Sequence, residues 1–114
     1  MLLAFPVPTS PPLDVTAIDG TSTDTLNVSW KTPVELNGKL TGYKILVETT
    51  LENGTTLTNE IMTCDNRITL TDLDMNTEYK IRVAASTRKG LGPFSEVEYG
   101  GTVVMHISYD QNFA

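Results

Sequence analysis

Residues 70–87 read LTDLDMNTEYKIRVAAST, and their pattern decides the fold. From Tyr79 onward the apolar residues fall on alternate positions. Tyr79, Ile81, Val83 and Ala85 point one way; Lys80, Arg82, Ala84 and Ser86 point the other. A period of two marks a strand with one buried face. Ahead of it runs a mostly polar stretch that carries Leu73, six residues before the tyrosine. This arrangement has a structural use where a chain crosses from one sheet to another and arches over the end of the core. The Tyr79 ring can lie in that end, while its hydroxyl bonds an arch backbone group otherwise buried without a partner. Leu73 fills the hollow beneath. Phenylalanine would pack as well, but it would leave the backbone group unsatisfied, at roughly 1–3 kcal/mol.

Outward from this stretch, the chain repeats the same period in short runs. Leu13, Val15 and Ile18 suggest a first strand, followed by a break at Asp19-Gly20 and a loop from Thr21 to Thr25. Leu26, Val28 and Trp30 alternate with Asn27 and Ser29, a half-buried strand ending in a tryptophan. Thr32-Pro33 ends it, because proline cannot donate to a ladder. After a turn at Asn37-Gly38, Tyr43, Ile45 and Val47 alternate with Lys44, Leu46 and Glu48. Asn53-Gly54 reads as a hairpin, since both residues tolerate positive φ. The return run, Thr55 to Met62, is threonine-rich and reads as an edge strand. Ile68 and Leu70 make a short strand. Beyond the opening stretch, residues 88–93 read as a loop with two glycines and a proline. Val97 and Tyr99 begin a last strand that Gly100-Gly101 is expected to bulge or kink. No helical spacing persists for three turns. Seven short strands separated by turn signals predict an all-β, antiparallel, two-sheet sandwich.

Composition narrows the function. The chain has 114 residues, one ordinary domain's worth, with 39% hydrophobic and 19% charged residues, so it can bury a real core. The net charge of −6 argues against a nucleic-acid partner, which requires a basic face. No apolar run is long enough to span a bilayer. The single cysteine, Cys64, cannot form an internal disulfide, so the predicted fold has none. Pro6, Pro8, Pro11 and Pro12 mark a stiff lead-in. The expected division is a linker over residues 1–10, a domain over 11–104 and a tail over 105–114.

The ordered set of matching residues resembles a fibronectin type III domain. It comprises Pro11-Pro12; Leu26-x-Val28-x-Trp30 with Pro33; Asn37-Gly38 and Gly42-Tyr43-x-Ile45; Leu70 and Leu73-x-x-x-Thr77-x-Tyr79-x-Ile81-x-Val83-x-Ala85; and Gly90-x-Gly92-Pro93-x-Ser95. The resemblance covers about residues 11–104. Met75 stands where the family often has proline. Immunoglobulin domains share the architecture but usually carry a cysteine pair, which is absent here. The resemblance implies an immunoglobulin-like sandwich in which Trp30, Tyr43, Leu73 and Tyr79 hold the structural core. It implies a non-catalytic spacer and protein-interaction module in the ectodomain of a cell adhesion or signalling receptor. An intracellular giant muscle protein, or a secreted enzyme carrying this module as an accessory domain, remains an alternative setting.

The reactive side chains agree with a role other than catalysis. His106, the single histidine, falls in the expected tail, far in sequence from Cys64, so neither a Cys–His pair nor a His/Cys metal site is supplied. No cofactor is expected. Asn27-Val28-Ser29 and Asn53-Gly54-Thr55 are acceptor triplets for N-glycosylation, which makes Asn27 and Asn53 glycan candidates and favours an extracellular location. Lys44, Lys80 and Arg82 should share an outer face with Leu46, and Arg88 and Lys89 should lie near one end of it. That face, with the adjoining loops, is the expected site for a protein partner; its basic strip would also suit weak binding of a sulfated glycan. Glu48 and Glu78 are available to neutralise it as cross-strand partners.

Overall fold

In the computed structural model, residues 7–74 and 77–101 are described. The strands are β1 (Leu13–Asp19), β2 (Leu26–Lys31), β3 (Leu40–Thr50), β4 (Thr56–Thr63), β5 (Arg67–Leu70), β6 (Glu78–Thr87), β7 (Gly90–Phe94) and β8 (Glu98–Gly101). They form two antiparallel sheets. One has the order β1-β2-β5; the other runs β4-β3-β6-β7, with β8 also pairing β6. The expected tail, with His106, lies outside the described residues.

The inner faces meet in one core. Leu26, Val28 and Trp30 come from β2, Tyr43, Ile45 and Val47 from β3, Leu70 from β5, and Tyr79, Ile81, Val83 and Ala85 from β6. Each fully buried aliphatic side chain contributes about 1.5–3 kcal/mol. The Trp30 and Tyr43 rings meet edge to face, with centroids 5.3 Å apart. Trp30 Nε1 is buried without a hydrogen-bond partner.

Among the described residues there are eight strand segments where seven were expected, because the last strand is divided. Ser95 causes the division. Its N–H donates to Val83 O at 2.8 Å, and its Oγ accepts the Val83 N–H at 3.0 Å. A side chain thus takes the place of a ladder carbonyl, beside Pro93, which has no N–H. The loop expected over 88–93 shrinks accordingly. Thr87 pairs with Gly90, which leaves a turn of Arg88 and Lys89 only. Gly90 adopts φ +146° to make that turn possible. Gly100 lies within β8 rather than at a break. A Cβ there would stand 3.0 Å from Ala17 Cβ and from Leu26 Cδ1, so glycine lets β8 approach β1.

Two other details depart from the expected pattern. β1 carries a bulge between Leu13 and Thr16, with Asp14 at φ +52°. The bulge turns Val15 and Ala17 towards the core and leaves Leu13 and Ile18 exposed. In the β3–β4 hairpin, Gly54 but not Asn53 takes positive φ. Leu51 N–H donates to Thr55 O at 2.7 Å, and Gly54 N–H to Leu51 O at 2.9 Å, so the loop is three residues, 52–54.

The chain enters at one end of the sandwich and reaches Gly101, beside Glu78, at the other. Both ends are capped. At the far end Tyr79 Oη accepts the Asp74 N–H at 2.7 Å, while half-buried Leu73 packs on the core and donates its N–H to Asp24 O. At the entry end, Val7–Ser10, expected as linker, lie against the domain. Thr9 N–H donates to Glu35 O, Glu35 N–H to Ser10 Oγ, and Asn37 Nδ2 to Val7 O and Thr9 Oγ1. Pro8 is buried against Gly92, where a Cβ would come within 2.6 Å of Pro8 Cβ.

Candidate protein-interaction face

β3 and β6 are the central strands of the larger sheet. Their inner residues fill the core, so period-two geometry sends Lys44, Leu46 and Glu48 and Lys80, Arg82 and Ala84 to the outer face. The register places them in rows. Met62, Lys44, Ala84 and Phe94 form one; Glu60, Leu46 and Arg82 the next; Thr58, Glu48, Lys80 and Tyr99 the third.

The structure brings Lys44, Leu46, Lys80 and Arg82 onto one surface. Arg88 and Lys89 are exposed at the β6–β7 turn, separated from Arg82 by buried Ala84 and by Ser86, whose hydroxyl bonds Gly42 O. The basic strip is therefore interrupted, and two of its three central cations are paired. Arg82 reaches Glu48 at 3.6 Å, and Lys44 reaches Glu60 at 3.3 Å. Each pair is partly solvated and contributes under about 1 kcal/mol. Their main effect is on pattern: the face alternates in sign. Glu78 is not among these acidic partners; its carbonyl accepts the Thr49 hydroxyl.

Sequence reading missed three contributors. Glu60 stands diagonal to Lys44, Met62 is 62% exposed and Tyr99 is 54% exposed. The even-numbered alternation of Thr56, Thr58, Glu60 and Met62 is the signal that places Glu60 and Met62 outward. With half-buried Leu46, the large side chains give the face apolar contact area between charged rows. Among the described residues, no cluster of three or more His, Cys, Asp or Glu is gathered to hold a metal. Cys64 is a free, exposed thiol.

The two glycan candidates occupy different settings. Asn53 is exposed in the β3–β4 hairpin, its Oδ1 accepting the Thr55 N–H at 2.9 Å. Asn27 is half-buried in the middle strand of the smaller sheet, its Oδ1 accepting from Thr69 Oγ1 at 2.9 Å.

Comparison with known proteins agrees with this architecture. The family model described as "Fibronectin type III domain" matches residues 10–100. Neogenin of Rattus norvegicus is 38% identical over 102 residues, covering 79% of this chain and 7% of neogenin. The human netrin receptor DCC is 37% identical over 95 residues, covering 78% of this chain and 6% of the receptor. The chain thus spans only a small part of these relatives. Among solved structures, the FN5 domain of Drosophila Lar superposes with a TM-score of 0.61 and 31% identity, covering 82% of this chain and 94% of that one. Domains A168–A170 from titin give 0.70 and 29%, covering 85% of this chain and 32% of that structure. With its sandwich, its tyrosine-capped arch and these matches together, the chain belongs to the fibronectin type III domain family.

Proposed function

We propose that this chain is a non-catalytic module of a receptor ectodomain, which spaces its neighbours and offers the outer face of the β4-β3-β6-β8 sheet to a protein partner. The observation that carries this reading is the composition of that face: exposed Met62 and Tyr99 and half-buried Leu46 between rows of alternating charge. Such a surface combines apolar area with electrostatic register. A sulfated glycan is the weaker fit, because Lys44 and Arg82 already have acidic partners. Chain entry and Gly101 at opposite ends suit a module strung in a row. The netrin receptor relative supports the receptor setting and supplies a first ligand to try.

The test is titration of netrin against the folded domain and two variants. Leu46→Glu, on the proposed face, abolishes binding, whereas Arg67→Glu, on the smaller sheet, leaves it intact. Equal loss in both, or in neither, overturns the assignment of the face. The compartment is tested by secretory expression and a glycosidase mass shift. Asn53 is the proposed acceptor, because it is exposed in a hairpin loop rather than held in the middle strand of a sheet. Asn27 stays unmodified. Glycan at Asn53 excludes the intracellular muscle setting that the titin likeness would otherwise support.

A further inference from the structure

A β-sandwich has four sheet edges, and each exposes backbone groups able to pair with another strand. Three of them are blunted here. β1 follows Pro11-Pro12, is bulged at Asp14 and packs beside β8. β5 has four residues and begins with Arg67. The β7–β8 edge contains Pro93 and is interrupted at Ser95. β4 has none of these protections. Its eight residues, TLTNEIMT, pair with β3 in unbroken register, contain no proline and carry one charge, Glu60. Among the described residues, no strand pairs with its other edge. The opposing edge, β5, stands across an open groove of about 270 Å³ lined by Asn59, Ile61, Ile68 and Leu73.

The hairpin fixes which backbone groups are free. Bonded and non-bonded pairs alternate along an antiparallel ladder. Leu51 N–H bonds Thr55 O, so Leu57, Asn59, Ile61 and Thr63 direct their groups at β3. Thr56, Thr58, Glu60 and Met62 direct theirs outward. A second copy added about a two-fold axis normal to the sheet must oppose residues of the same face, with bonded pairs among these four. The two-fold axis then falls on a residue rather than between two, and Asn59 gives the most bonded pairs.

We infer that β4 is a self-association edge, where a second copy of this chain pairs antiparallel about Asn59 to join the two larger sheets. Thr58 then opposes the partner's Glu60, Leu57 opposes the partner's Ile61 and Thr56 opposes the partner's Met62. No like charges face each other directly, and Leu57, 51% exposed, gains an apolar neighbour. A register centred on Glu60 would oppose two carboxylates and form one bonded pair fewer. The net charge of −6 opposes association, so the contact is weak and is assayed at physiological salt.

Sedimentation velocity of the intact chain, across concentrations up to about 1 mM, should show a reversible dimer. Thr58→Pro removes two outward N–H donors per dimer while sparing the bonds to β3, and weakens association roughly tenfold or more. Its unfolding midpoint reports whether the fold survives. A second measurement stands apart from that variant. In a Cys64→Ser background, Asn59→Cys lies on the two-fold axis in a non-bonded pair, with Cα atoms about 4.5 Å apart, and oxidises to a disulfide dimer. Glu60→Cys, displaced from the axis, does not. A strict monomer at the highest concentration, or equal cross-linking at 59 and 60, overturns the proposal.

Discussion

Each end of the sandwich is closed by a buried tyrosine, and the two closures are built differently. At the far end Tyr79 bonds the N–H of Asp74, five residues away along the same arch. At the entry end Tyr43 shares a hydrogen bond with Thr32 at 2.9 Å and accepts one from Asn66 Nδ2 at 3.2 Å. The Asn66 side chain also donates to Trp30 O, and its backbone carbonyl accepts the Trp30 backbone N–H, tying the approach to β5 back to β2. The Val7–Ser10 segment lies at this same end, held by Glu35 and Asn37. One end is thus sealed by a local bond to backbone. The other is sealed by side chains gathered from three distant stretches. The Asp74 N–H is fixed by the path of the arch and cannot turn away once its tyrosine acceptor is lost. Thr32 and Asn66 are exposed and can turn to water.

That difference sets the order of mutational effects. The largest belongs to the indole in the core between the two sheets. Trp30→Ala removes the ring packed against Tyr43 and should cost about 3–5 kcal/mol, enough to unfold the domain in a denaturant titration. Tyr79→Phe keeps the ring but leaves the Asp74 N–H without its acceptor. It should lower stability by about 1–2 kcal/mol, with faster amide exchange confined to residues 72–79. Tyr43→Phe should cost about 0.5–1 kcal/mol, because its partners rehydrate. Chemical unfolding of the two variants side by side is the sharpest measurement. A larger loss at Tyr43 than at Tyr79 would reverse the reading of the two ends.

The same contrast explains what could be read early. Tyr79, Leu73 and the alternation of β6 lie within one short stretch, so the arch is visible in a single window of sequence. The β4 alternation, which carries Glu60 and Met62 outward, is equally local, but threonine hides it by suiting either face. Ser95 is different. Nothing near it announces that its hydroxyl will bond Val83 and divide the last strand, and Gly92 gives no sign that Pro8 will lie against it. The Lys44–Glu60 pair likewise depends on a register that only the folded hairpin supplies.

Sequence by itself determined the strand period, the core residues and the family, because side-chain alternation and turn chemistry act over a few neighbours. The tertiary structure alone decided which charges neutralise one another, where the lead-in docks and which sheet edge stays open. Those outcomes depend on contacts between residues far apart in the chain, whose geometry exists only once the two sheets have closed.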